Sequence, residues 1–303
     1  MTLSKKSFGI LLLYLIFISC STNKYKKSEK EYESKLSTIK ETISEKEAPS
    51  LVKIEVPKTN ADSLYLNQLL KYKDSISKTG KIPLQNGIST EWIGTVNFNL
   101  RKPNFVIIHH TAQDSLQQTI KTFTKTQSNV SAHYIISKDG KIVHMLNDYL
   151  RAWHAGVSSW GKNTDINSAS IGIELDNNGI EPFSDLQITS LVALLSKLKK
   201  DYNVPTENFI GHSDIAPTRK KDPSALFPWK TLASMGFGIW PDEIVEDAPA
   251  TFNIEQGLRI IGYNTQNLTA AITAFKLHFI QTDIDAYLDQ KTINAIYNLS
   301  KKQ

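Results

Sequence analysis

Between residues 88 and 241 the apolar positions switch repeatedly between two spacings, and the switches predict alternating strands and helices. Asn104–His109 is a run of β-branched, aromatic and aliphatic residues and reads as a strand. Ser115–Thr126 follows with Leu116, Ile120 and Phe123 three and four apart, the period of a helix face. Ala132–Ser137 and Lys141–Met145 flank Lys138-Asp139-Gly140, a hairpin turn in which glycine supplies the positive φ. Ser170–Leu175 is another strand. Ser184–Asn203 predicts a long helix, with Ser184 as its cap and Leu186, Leu191, Leu194, Leu195 and Leu198 as its apolar face. Asn208–His212 closes the series as a strand. This alternation defines an α/β domain, residues 81–241, with a mixed central β-sheet flanked by helices.

The pattern changes on both sides of that domain. From 250 to 303 it predicts a small C-terminal three-helix domain, with helices at Gln256–Ile261, Leu268–Phe279 and Gln290–Leu299 and a linker at Asp242–Ala250. At the other end, Lys5-Lys6 precede an apolar stretch, Phe8–Ile18, too short for a comfortable membrane span. It ends in Ser19-Cys20, which resembles a bacterial lipoprotein signal. That resemblance implies removal of residues 1–19 and lipid attachment at Cys20, hence an exported, membrane-anchored protein, with the outer membrane facing the periplasm as the default. Residues 21–50 hold seven Lys and six Glu with few apolar positions. Such a segment lacks the apolar surface to offset its ordering entropy and reads as a mobile tether. A short helix is expected at 61–77, before Gly80, Pro83 and Gly87 break the chain, so 20–80 forms the tether as a whole.

Charge and cysteine content narrow the partners. The formal net charge is +5, and residues 1–19 carry two of the lysines and no acid. The remainder is too weakly basic to argue for nucleic acid, although it suits a polyanionic wall surface. A single cysteine excludes an internal disulfide framework. Nothing calls for an oligomer, and a monomer is expected.

Three polar residues carry the chemistry. His109 and His212 each close a predicted strand, and Asp222 lies in a loop stiffened by Pro217 and Pro223. Two His and one carboxylate form the ligand set of a catalytic Zn2+ site with a fourth position open. Neutral imidazoles would leave such a site at net +1, which favours activation of water and of a carbonyl. Glu174 interrupts an otherwise apolar strand, where an unpartnered carboxylate costs on the order of several kcal/mol. A place beside the metal would explain it as a general base, and a buried salt bridge is the alternative. Lys220, two residues before Asp222, is a candidate oxyanion stabiliser, and His154 in Arg151-Ala-Trp-His-Ala-Gly156 is another. His133 is either a supporting residue or a satisfied core histidine. His144 and His278 carry no functional signal. His110 faces away from His109 by strand alternation, so only one of the two can enter the site.

Five segments in order then resemble a known family. They are Val106-Ile-Ile-His-His-Thr-Ala112, Val130-Ser-Ala-His-Tyr-Ile-Ile-Ser-Lys-Asp-Gly140, Arg151-Ala-Trp-His-Ala-Gly-Val157, Ser170-Ile-Gly-Ile-Glu-Leu175 and Gly211-His-Ser-Asp-Ile-Ala-Pro-Thr-Arg-Lys-Lys-Asp-Pro223. Residues 104–231 resemble the zinc-dependent N-acetylmuramoyl-L-alanine amidases of the AmpD and AmiD type, relatives of the peptidoglycan-recognition proteins. The resemblance implies that His109 rather than His110 binds zinc, with His212 and Asp222, and that Glu174 and Lys220 are catalytic. It implies cleavage of the amide between N-acetylmuramic acid and L-alanine in peptidoglycan or muropeptides. Leu258–Tyr263, Ala274-Phe275 and Leu288–Thr292 resemble a three-helix peptidoglycan-binding domain more weakly. The competing reading is a recognition lipoprotein that binds wall without cutting it. A metallopeptidase lacks its His-Glu-x-x-His helix here.

Overall fold

The computed structural model describes residues 25–46, 80–95, 97, 99–100, 103–242 and 246–302. The signal segment, Cys20 and the expected helix at 61–77 lie outside the described residues. Among the described residues no helix is long and apolar enough to cross a membrane.

The first element is α1, Lys26–Lys46. Over 26–46 the expected tether is instead a helix packed on the sheet domain, while residues 47–79 of it lie outside the described residues. Tyr32 is buried against Leu146, Leu150 and Ala152, and Leu36, Ile39 and Trp92 pack around the same cluster. The Tyr32 and Trp92 rings meet edge to face at 5.6 Å, and Ser28 Oγ–H donates to the Gly94 carbonyl. Tyr32, Leu36 and Ile39 sit four and three residues apart, so a helix gathers them on one stripe. Their dilution among lysines and glutamates hides that stripe from a compositional reading.

The strands are β1 Thr90–Trp92, β2 Asn99–Leu100, β3 Phe105–His110, β4 Tyr134–Ile136, β5 Ile142–His144, β6 Leu150–Arg151, β7 Ser170–Leu175 and β8 Phe209–Gly211. Six of them form one mixed sheet in the order β1-β5-β4-β7-β3-β8, while β2 and β6 pair separately. The pairs β3–β7, β3–β8 and β4–β7 are parallel, and β4–β5 is the antiparallel hairpin turned by Gly140 at φ 83°.

The helices of this unit are α2 Leu116–Phe123, α3 Ile166–Ala169, α4 Asp185–Tyr202, α5 His212–Ile215 and α6 Trp229–Ser234. Ser184 caps α4 by accepting from the Gln187 backbone N–H. Leu191, Leu194, Leu195 and Leu198 bury the helix against Val106, Ile108, Ile171 and Ile173 on one sheet face. Leu186 does not join them: it is 63 % exposed, and Gln187 is buried instead. The Gln187 side-chain amide donates to the carbonyls of Ile136 and Asp176, so the first turn is anchored by that side chain rather than by the leucine. On the opposite sheet face, Ile120 and Phe123 of α2 cover Ile135 and Val143, and Phe105, Ile107 and Ile210 form a further cluster.

The C-terminal unit comprises α7 Ile254–Ile261, α8 Leu268–Phe275 and α9 Gln290–Ser300. The helix expected through Phe279 widens at Lys276–Ile280 into a π-helical turn. The unit has its own apolar core around Leu258, Phe275, Ile296 and Leu299.

Candidate active site

The candidate residues gather at the carboxyl ends of parallel strands, where α/β sheets place their ligand sites. His109 and Glu174 are register partners on β3 and β7, so their side chains leave the same sheet face. His212 begins α5 immediately after β8. Asp222 returns beside it because the Ser213 N–H donates to the Asp222 carbonyl at 2.8 Å. A cavity of about 240 Å³ is lined by His109, Trp153, His154, Glu174, His212, Lys220 and Asp222 among others. His110 borders it without joining the cluster.

Three side-chain atoms converge. His109 Nδ1 lies 2.9 Å from His212 Nδ1 and 3.2 Å from Asp222 Oδ2, and His212 Nδ1 lies 3.0 Å from that same oxygen. All three residues are buried. Burial and the neighbouring His212 push the His109 imidazole down to about 4, which keeps it neutral at pH 7. Burial alone would raise the Asp222 carboxyl, but hydrogen bonds and charge from the two histidines outweigh it and hold the group well below the usual carboxylate range.

The outer hydrogen bonds decide the tautomers. Ser170 Oγ–H donates to the Ile166 carbonyl at 2.6 Å, so Ser170 accepts from His154 Nε2–H at 3.1 Å. His154 Nδ1 is then an acceptor, and His109 Nε2–H donates to it at 3.0 Å. His212 Nε2–H donates to the Ala155 carbonyl at 3.2 Å. Both Nδ1 atoms therefore keep free lone pairs. Two such nitrogens and a carboxylate oxygen this close repel one another unless a cation lies among them. Donor set, charge and outer hydrogen bonds all fit zinc.

Glu174 is buried beside this cluster, and its Oε2 has no hydrogen-bond partner among the described residues. Burial pushes its carboxyl up to about 8; the Asp222 charge adds to the rise and Lys220 opposes it. The buried salt bridge that was the alternative for Glu174 is not formed among the described residues. Lys220 is half-buried on the cavity wall. His154 stands behind His109 with both ring nitrogens engaged inside the protein, so it orients His109 instead of offering an N–H to an oxyanion. His133 is a satisfied core histidine: Nε2–H donates to the Leu150 carbonyl at 2.9 Å, and Nδ1 accepts from the Gly172 N–H.

The sequence reading missed Ser170, Gly172 and Arg219. A Cβ on Gly172 would lie 2.4 Å from His154 Cγ, so only glycine admits the ring. Arg219 Nη2–H donates to the carbonyls of Ala155 and Val157 and braces the loop that receives His212. Gly172→Ala is expected to displace His154, weaken metal binding by about tenfold or more, and lower the melting temperature. Titration against a chromophoric chelator reads the first effect and a thermal melt the second. Unchanged affinity would remove His154 from the supporting role.

Fold and site together define a hydrolase with a His-His-Asp site able to hold a metal. Residues 99–225 match the sequence profile of the N-acetylmuramoyl-L-alanine amidase family. The N-acetylmuramoyl-L-alanine amidase AmiD of Escherichia coli K12 is 35 % identical over 219 residues, covering 62 % of this chain and 78 % of AmiD. The 1,6-anhydro-N-acetylmuramyl-L-alanine amidase AmpD of Haemophilus influenzae is 40 % identical over 109 residues, which span 36 % of this chain and 59 % of that one. Among solved structures, E. coli AmiD in complex with anhydro-N-acetylmuramic acid-L-Ala-D-γ-Glu-L-Lys superposes with a TM-score of 0.59 at 31 % identity, over 66 % of this chain and 89 % of that one. AmpDh3 of Pseudomonas aeruginosa gives 0.61 at 29 %, over 67 % and 93 %. The chain belongs to the N-acetylmuramoyl-L-alanine amidase family and is of its AmpD/AmiD type.

Proposed function

We propose that this amidase hydrolyses the bond between the lactyl group of N-acetylmuramic acid and L-alanine, in peptidoglycan or its fragments, with one zinc ion held by His109, His212 and Asp222. The observation that carries this reading is the convergence of three lone-pair donors beside a buried carboxyl whose Oε2 has no hydrogen-bond partner among the described residues. When bound, zinc would supply the Lewis acidity that activates water and polarises the scissile carbonyl. The chain's own residues handle the protons and the developing charge. Glu174, which a cation among the three donors would hold ionised, takes a proton from the attacking water and returns it to the leaving L-alanine nitrogen as the carbon–nitrogen bond breaks. Lys220 faces the cavity as a cation for the oxyanion. His154 and Ser170 keep His109 in its ligating tautomer.

The test is digestion of purified peptidoglycan by the full chain, followed by mass spectrometry. Stem peptides beginning at L-alanine, lost on chelation and restored by zinc, are expected. Wall binding without release would favour the recognition-lipoprotein reading instead. The signal-like segment ending at Cys20 supports an exported lipoprotein at the outer membrane. Fatty-acid labelling that survives in Cys20→Ala would overturn that part. The helical unit at 250–303 is read as a wall-binding domain, and pull-down on purified wall, with and without variants of that unit, checks it.

A further inference from the structure

Asp214, two residues beyond His212, is fully buried. A carboxylate so placed is costly unless its oxygens are matched by donors. Its Oδ2 accepts from the Gly211 backbone N–H at 2.7 Å and from His278 Nδ1–H at 2.7 Å, and its Oδ1 accepts from the Tyr263 hydroxyl at 2.6 Å. The backbone donor belongs to the amidase unit. Tyr263 and His278 both belong to the C-terminal helical unit.

The two donors are themselves fixed. The His278 ring lies between Trp229, at 3.9 Å and 17°, and Phe279, at 4.0 Å and 14°. The Tyr263 ring meets Trp160 at 5.0 Å. Beside it Gly262 presses on Trp160, where a Cβ would lie 2.4 Å from the indole, and the Gly262 carbonyl accepts from the Gly161 N–H. Gln281 Nε2–H donates to the carbonyls of Ala225 and Phe227 just beyond Asp222. Among its contacts with the amidase unit, the C-terminal unit thus grips Asp214, the Trp160–Gly161 turn and the Ala225–Phe227 segment, of which the first and last adjoin His212 and Asp222 in the chain.

We propose that the C-terminal unit is a positioning element of the metal site: Tyr263 and His278 hold Asp214, and through α5 they fix His212 and the Asp222 segment bonded to it. The proposal rests on the metal reading given above. It adds that a unit whose resemblance points to wall binding also completes the catalytic unit. Loss of the Tyr263 hydroxyl leaves Asp214 Oδ1 unmatched, loss of His278 leaves Oδ2 with the Gly211 N–H alone, and α5 shifts to rehydrate the carboxylate.

The experiment compares the full chain with Tyr263→Phe, with Tyr263→Phe/His278→Phe, and with Leu299→Ala. Leu299 is in the core of the C-terminal unit and serves as a control for lost stability alone. Zinc affinity is measured by chelator competition at a temperature where all four proteins are folded. Amide exchange across residues 211–216 is measured on the metal-free proteins. The two clamp variants are expected to bind zinc at least tenfold more weakly and to exchange faster over 211–216. Leu299→Ala should melt lower with neither change. Parental affinity and exchange in the clamp variants would overturn the proposal, and so would equal effects in Leu299→Ala. A parent chain that binds no zinc would instead overturn the metal reading, while the exchange comparison would still decide the clamp.

Discussion

Glu174→Gln is expected to lower kcat by about 10²- to 10⁴-fold while making the metal-free protein more stable at alkaline pH. The two effects share one cause. The Glu174 carboxyl is buried with an unpartnered oxygen, which raises it from its ordinary value of 4.5 to about 8. In the metal-free protein both folded and unfolded states are protonated well below pH 4.5, and the group carries no penalty there. As pH rises from 4.5 to 8 the unfolded chain gives up the proton while the folded one keeps it, so stability falls. Above 8 the full penalty stands, on the order of a few kcal/mol. Gln has the same shape and no titration, so its melting temperature should not follow that decline. Melts of both metal-free proteins at pH 5 and pH 9 should nearly coincide at the lower pH and separate at the higher. Near-parental cutting by the variant would remove Glu174 from the mechanism.

Glu174 was legible in the sequence because a carboxylate inside Ile171-Gly-Ile-Glu-Leu175 violates the apolar pattern of a buried strand. His109 and His212 were legible as polar ends of apolar runs, and the main strands and the cap at Ser184 followed from period and turn chemistry. What stayed hidden depends on register or on distant partners. Strand alternation could not choose between His109 and His110, and only the family pattern did. Gly172 matters because β7 lies beside β3 and turns a bare backbone toward His154, which no local pattern reveals. Leu186 and Gln187 serve the helical period almost equally, and two backbone carbonyls decide between them. Asp214 and His278 are 64 positions apart, each ordinary alone. The helix α1 escaped because three apolar side chains among lysines and glutamates do not look like a face until Trp92 and Leu146 receive them.

Asp222→Ala should separate metal retention from proton transfer. Removing the carboxylate deletes one of three donors and the only formal negative charge among them. His109 and His212 then face each other with their Nδ1 atoms 2.9 Å apart and no anion beside them. Two neutral imidazoles bind zinc far more weakly than the full set, so the purified variant is expected to lose its zinc under dialysis and its cutting activity with it. Glu174→Gln should keep the metal and lose the activity. The carboxylate also raises Glu174 through its charge, so its loss should bring that carboxyl down toward the ordinary range in the metal-free variant. Zinc content by elemental analysis, beside product release from the same preparations, reads the contrast directly. Should Asp222→Ala retain stoichiometric zinc after dialysis against chelator, the carboxylate is no ligand and the three-atom cluster has another purpose. Should Glu174→Gln lose zinc as readily, Glu174 belongs to the metal-holding set and the division of labour between the two carboxylates fails.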